Sequence, residues 1–295
     1  MDQADVLEVL TATEWNGPFD IATQTRAVTA LEAGHVLFLP HLAFQVAPAE
    51  QRFLTPDIAG GDRKNISFDP TSGKLGGSTT TGDDSAVLAA MIDRFGRQAT
   101  ALIGGLIPRY APHLERARTS YRPVEVKGRA QSPRHDDRLL HVDAFPTRPM
   151  RGRRILRLFS NIAPDGSPRE WRVGEPFADY AARFLPKLRA PLPGAAFMLK
   201  TLGLTKGTRS AYDNFMLGLH DTGKYDSDWQ ANSPRADVNF PAGSTWLCFT
   251  DAVLHAAMGG HMALEQTFHL SVQAMARPEQ TPLRMLEKLS GRALV

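Results

Sequence analysis

The chain has 295 residues, 42% of them hydrophobic, enough for one large domain with a full core, so disorder is not the expected state. Its 21 Pro and 24 Gly are spread along the whole length rather than set in repeats, which disfavours an all-helical bundle and suits many short strands joined by loops. The formal net charge is +3, and the lone cysteine, Cys248, excludes an intrachain disulfide and any Cys-based zinc site.

Residues 1–17 carry Asp2, Asp5, Glu8 and Glu14 in place of the basic start and apolar core of a secretion signal. No later run reaches transmembrane length, and the expectation is a cytoplasmic protein, at most peripheral to a membrane. Ala33 to Pro40 reads as a short buried strand after a helical stretch, and the chain from there to Gly82 is turn-rich, broken by Gly60-Gly61 and Gly76-Gly77. After Asp83-Asp84-Ser85, the residues Val87, Leu88, Met91, Ile92, Phe95, Leu102, Ile103 and Leu106 recur at helical spacing and predict an amphipathic helix to about Pro108 that packs on a sheet. Arginines crowd the stretch from Arg116 to Arg172, a local positive charge suited to nucleic acid, an anionic membrane or an acidic small substrate. Beyond Pro108 short runs read as strands at Leu139–Phe145, Arg154–Asn161, Ser244–Thr250 and Leu264–Met275, with helices at Phe177–Leu188 and Ser210–Leu219. The pattern is mainly β with α, a sandwich or jelly roll with N-terminal and inserted helices. We expect a single domain over 1–295. A helical and loop part at 1–120 packs on the sheet, the core spans 121–280 with an insertion at 177–225, and the tail occupies 281–295. In that tail, Leu283 to Leu289 is apolar on one face and is expected to pack on the body.

In Leu139-Leu140-His141-Val142-Asp143-Ala144-Phe145 the two-residue period of a strand sends His141 and Asp143 to one face and Leu140 and Val142 to the other. Imidazole plus carboxylate is the donor set of the facial triad that binds iron(II), provided a second His arrives from elsewhere. His255, His261 and His269 are the candidates; His255, just after the apolar run Trp246–Phe249 and before a Gly turn, is favoured. His269 shares a face with Glu265, Thr267 and Ser271, and His261 sits in the turn. Asp213, His220 and Asp221 are given at best a supporting role. A 2-oxoglutarate enzyme also needs a cation for the distal carboxylate. Ala256 to Ala276 contains no Arg or Lys, whereas Arg157 lies between Ile155 and Phe159 on one face of a strand, where a charged residue wants an anion.

Arg134-His135-Asp136-Asp137-Arg138-Leu139-Leu140-His141-Val142-Asp143-Ala144-Phe145-Pro146 is followed by Gly152-Arg153-Arg154-Ile155-Leu156-Arg157 and by Pro168-Arg169-Glu170-Trp171-Arg172-Val173-Gly174-Glu175-Pro176-Phe177. With Tyr212-Asp213-Asn214-Phe215-Met216-Leu217-Gly218-Leu219-His220-Asp221 and Trp246 to Phe268, these strings resemble the Kdo hydroxylase family from about Tyr121 onward, and more loosely before it. The resemblance implies a double-stranded β-helix (cupin-like) and an iron(II)/2-oxoglutarate dioxygenase using O2, with ascorbate as an accessory reductant. It would hydroxylate the Kdo sugar of Kdo-lipid A at C3, giving Ko, in lipopolysaccharide biosynthesis. It further implies His141, Asp143 and His255 as metal ligands, an Arg-rich co-substrate and substrate pocket at Arg157, Arg169 and Arg122, and Trp171 beside the substrate. The partner implied is a Kdo-lipid A type glycolipid met at the inner membrane, with no nucleic acid and no protein partner. Alternatives are a 2-oxoglutarate dioxygenase acting on another anionic substrate, a non-catalytic jelly-roll sugar-binding protein, and a zinc hydrolase, since His/Asp/His also suits zinc.

Overall fold

The apolar stripe read between Val87 and Leu106 forms helix α2 (Gly82–Leu106), with Leu88, Met91, Ile92, Phe95, Leu102, Ile103 and Leu106 buried. It lies against strands β5 (Glu115–Arg122) and β11 (Ala263–Leu270). Gly96 permits that approach, because a Cβ there would collide with the Arg116 guanidinium and the Gln266 carboxamide. Helix α1 (Ile21–Glu32) packs beside it on β2 (Val36–Leu39) and β9 (Thr245–Phe249). The structure is a computed structural model that describes residues 1–61, 63, 65–128, 131–188, 201 and 203–295.

The remaining strands are β1 (Leu7–Val9), β3 (Ile66–Asp69), β4 (Lys74–Gly76), β6 (Arg154–Asn161), β7 (Arg169–Gly174), β8 (Arg235–Phe240) and β10 (His255–Gly259). They form a large sheet in the order β1-β2-β9-β6-β11-β5-β3-β4 and a small one, β10-β7-β8. Among the described residues all pairings are antiparallel except β1 with β2. Two apolar clusters follow from strand alternation. One, with Leu156, Leu158, Leu264 and Phe268, backs the large sheet against α1 and α2. The other, with Phe159, Trp171, Val173, Val238, Phe240, Trp246 and Cys248, fills the space between the two sheets. This is a jelly roll, as expected, with helices on one outer face.

The structure departs from the sequence reading in several elements. The segment around His141 is extended but is not a regular strand. Its one ladder contact is the bridge His141↔His255. The Leu140 amide and carbonyl are bonded instead to the Gln230 side chain at 3.0 and 2.9 Å, and the Leu139 carbonyl is taken by the His141 ring at 2.7 Å. The strand expected over Leu264–Met275 stops at Leu270, where Ser271 caps a 3-10 turn over Val272–Ala274. The first 120 residues contribute β1 to β4 to both edges of the large sheet, including a hairpin in the turn-rich stretch before Gly82. The expected helices over Phe177–Leu188 and Ser210–Leu219 appear as α3 (Phe177–Phe184), followed by a 3-10 turn, and α4 (Ala211–Tyr225). Residues 189–200 and 202 of the expected insertion lie outside the described residues. Two further helices are α5 (Ser227–Asn232) and α6 (Pro282–Ser290), and the latter buries Leu283 and Leu286 on the body. Among the described residues no helix is long and apolar enough to cross a membrane.

Under the sheet, Arg154 makes a two-pronged ion pair with Asp251, 2.7 and 3.2 Å, both side chains 2% exposed, and its guanidinium lies 3.9 Å from the centre of the Phe249 ring. Burial raises the Asp251 carboxyl above its ordinary value in spite of Arg154. The pair is therefore costly to break and replaceable as a whole. Asp251→Ala should lower the free energy of unfolding by about 3–5 kcal/mol in denaturant titration, whereas Arg154→Met with Asp251→Leu should recover most of that loss.

Candidate metal and anion site

Three backbone contacts bring the metal-ligating types together. His141 and His255 exchange amide-to-carbonyl hydrogen bonds of 3.1 and 2.9 Å, and the Asp143 amide donates to the Thr250 carbonyl at the end of β9, at 2.7 Å. Alternation then works as expected, with Leu140 and Val142 in the core and His141 and Asp143 turned to the space between the sheets. One ligand atom from each of His141, Asp143 and His255 lies within 4.8 Å of the others, and all three side chains are enclosed.

The imidazole tautomers follow from local bonds. His141 Nδ1 meets the Leu139 carbonyl at 2.7 Å and His255 Nδ1 meets the Val253 carbonyl at 2.9 Å. A carbonyl only accepts, so each Nδ1 carries the proton and each Nε2 presents a lone pair. Burial, then the neighbouring His255, holds His141 well below its ordinary value. Burial also lowers His255, and Asp143 opposes it only in part. Burial pushes the Asp143 carboxyl up, but Arg157, then His255 and His141, outweigh it and keep it below the usual carboxylate range. Two neutral imidazoles and one carboxylate, its buried Oδ2 ion-paired to Arg157 without a hydrogen bond, fit a divalent cation on three adjoining positions.

The same cavity collects the arginines and the tryptophan expected beside the metal: Arg122, Arg157, Arg169 and Trp171 line it with the three candidate ligands. The cavity is narrow, about 60 Å³, and opens to solvent at its mouth. Trp171 lies flat on the His255 ring, 5.3 Å between centres and 24° between planes, and Phe159 stands edge-on to it at 4.9 Å. Arg169 donates to the Gly260 carbonyl. Arg157 has the anion its position called for, in duplicate: Nε is 3.1 Å from Asp143 Oδ2 and Nη1 is 3.1 Å from Glu265 Oε1.

Sequence reasoning left Glu265 and Asp137 out of the site, and both line the cavity. The alternation on β11 already put Glu265 on a face with Thr267 and His269. What it lacked was the register that sets β11 between β5 and β6. His220 was given a supporting place, and its ring stands edge-on to His141 at 5.5 Å, with Nδ1 2.8 Å from Asp221. Asp213 instead caps α4 and accepts from the amides of Met150 and Arg151. His261 pairs with Asp165 at 3.2 Å, away from the metal ligands. Several arginines of the described stretch are paired with acids. Arg116 pairs with Asp93, Arg118 with Asp69, Arg153 with Glu115 and Arg172 with Asp237.

The model of the 3-deoxy-D-manno-oct-2-ulosonic acid (Kdo) hydroxylase family matches residues 14–293. The chain belongs to the Kdo hydroxylase family. Among solved structures it is similar to the Kdo hydroxylase KdoO, a non-haem Fe(II) 2-oxoglutarate dependent dioxygenase. The complex of KdoO with 2-oxoglutarate and Fe(III) is 47% identical, over 98% of this chain and 97% of that one, with TM-score 0.95. The cobalt(II) complex is 48% identical over the same shares, with TM-score 0.96, and the complex with succinate and Fe(III) is 47% identical, again over those shares, with TM-score 0.94. No curated protein sequence matches the chain. Within this Kdo hydroxylase fold, the two-sheet cavity is where the candidate ligands of the present chain meet.

His269, the third distal candidate, is buried near Phe145 rather than placed with His141 and Asp143. Burial, then Arg153, holds it down to about 4, from an ordinary value of 6.5. The unfolded chain therefore binds the extra proton between those values, and stability falls as the pH drops from 6.5 towards 4. From this one group the loss between pH 7 and pH 4 should be about 3 kcal/mol. His269→Phe should remove that share of the pH dependence in urea melts while leaving stability at pH 8 within about 1 kcal/mol.

Proposed function

We propose that the chain is an iron(II)- and 2-oxoglutarate-dependent dioxygenase that hydroxylates the Kdo unit of a Kdo-lipid A type glycolipid at C3, giving Ko. One observation carries the reading: a His/Asp/His cluster and three arginines line a single cavity in a chain of the Kdo hydroxylase family. His141 and His255 hold the metal through Nε2 and Asp143 through its carboxylate, each already in the protonation state that binding needs. Bound there, iron(II) with 2-oxoglutarate activates dioxygen and, as succinate and carbon dioxide form, supplies the power to exchange a sugar C–H for C–OH.

The rest is positioning by this chain. Arg157, Arg169 and Arg122 supply the guanidinium edges for the carboxylates of 2-oxoglutarate and of Kdo. Trp171 and Phe159 form the apolar wall against which the sugar is pressed, and Trp171 keeps the His255 ring from rotating. His220 and α4 close the opposite side of His141 and limit water there. Such a glycolipid puts the enzyme on the cytoplasmic side, peripheral to the inner membrane.

Purified protein given iron(II), 2-oxoglutarate and Kdo-lipid A, then air, should form succinate together with a product heavier by one oxygen atom. His141→Ala should abolish both signals, a loss beyond about 100-fold. Arg157→Ala should chiefly raise the 2-oxoglutarate concentration required, at least about tenfold. Full turnover by His141→Ala would overturn the ligand assignment.

A further inference from the structure

Glu265 is the most deeply enclosed acid on the cavity wall, its side chain 4% exposed. It stands between two guanidinia: Oε2 accepts from Arg122 Nε at 2.8 Å and lies 2.7 Å from Arg122 Nη2, and Oε1 faces Arg157 Nη1 at 3.1 Å. Burial pushes its carboxyl up, but Arg122 and Arg157 outweigh that and keep it ionised. The line continues through Arg157 to Asp143, so four alternating charges run along the wall to the candidate metal ligands.

The charges lining the cavity balance: Arg122, Arg157 and Arg169 are opposed by Asp137, Asp143 and Glu265, with both histidines neutral. A dication and a dicarboxylate added together keep that balance. Without Glu265 the same dicarboxylate would meet one surplus positive charge in a poorly screened space, where Coulombic attraction is strong.

We propose that Glu265 is a built-in counter-anion that weakens dicarboxylate binding, so that succinate can leave the cavity after turnover and the next 2-oxoglutarate can enter. Glu265 competes with the carboxylate for the inner edges of Arg122 and Arg157 and holds both side chains to the wall when no dicarboxylate is present. The inference rests on the proposed function, since it presumes that 2-oxoglutarate and succinate are the anions exchanged.

The test is titration calorimetry of the two dicarboxylates with the cobalt(II)-loaded full chain, a metal that the related KdoO accommodates. Glu265→Gln keeps the shape and removes the charge. It should bind both 2-oxoglutarate and succinate about tenfold more tightly than the parent. Glu265→Asp keeps the charge and should stay within about twofold. In turnover, Glu265→Gln should lower kcat and KM for 2-oxoglutarate together, a pattern that a merely structural role would not give. Equal or weaker binding by Glu265→Gln would overturn the proposal. Should that variant fail to fold, Glu265→Asp decides alone: affinity within about twofold of the parent supports the charge role, and a loss of about fivefold or more refutes it. A parent protein that bound neither dicarboxylate would instead bring down the functional reading, and this inference with it.

Discussion

Two reciprocal hydrogen bonds between the backbones of His141 and His255 are the constraint on which the site depends. The first residue belongs to an irregular segment just before Pro146 and Pro149, the second opens β10, and 113 residues lie between them. Pairing these two residues with each other, while His255 also pairs with Val173 of β7, fixes the distance between the rings before any ion arrives. Each ring is then set by its own strand segment in the same way, with Nδ1 giving its proton to the carbonyl two residues back. The Asp143–Thr250 bond completes the frame from a third direction. Metal affinity in such an arrangement owes little to side-chain ordering at the moment of binding, because the backbone has already supplied the order.

The electrostatics act in the same direction. Burial disfavours every charge in the cavity, so a histidine is neutral there and ready to bind, while a carboxylate stays ionised only with a cation beside it. Arg157 is that cation for Asp143, and Glu265 and Arg122 extend the alternation outward. Taking one member away exposes its neighbour, which is why these residues behave as a line and not as separate pairs.

Much of this was legible in the sequence, for reasons visible residue by residue. β6 could be read because Arg157 interrupts a continuous apolar run, and an isolated charge in such a run has to meet an anion. His-x-Asp could be read because a period of two holds even where the ladder is irregular. β7 and β8 were hidden: Arg169-Glu170-Trp171-Arg172-Val173 and Arg235-Ala236-Asp237-Val238-Asn239-Phe240 do alternate, but their outward charges mask the inward Trp171, Val173, Ala236, Val238 and Phe240. The charge of the basic stretch could be read only in part. Its acids, Asp69, Asp93, Asp237 and Asp251, lie far off along the chain and near in space, and only tertiary structure returns them.

Arg157 illustrates how a correct local inference can stop one step short. Its place on an apolar strand face demanded an anion, and the co-substrate was the natural candidate. A guanidinium buried with nothing opposite it would, however, cost the folded chain several kcal/mol whenever the co-substrate was away. A cavity that binds an anion reversibly must therefore carry an anion of its own for the empty state, close enough to neutralise the arginine and rigid enough to yield its place. Asp143 and Glu265 meet that demand from opposite ends of one guanidinium. The first lies beside the two histidines and the second is held by Arg122, so the guanidinium and its two counter-charges arise from neighbouring strands, β5, β6 and β11, and the segment bridged to β10.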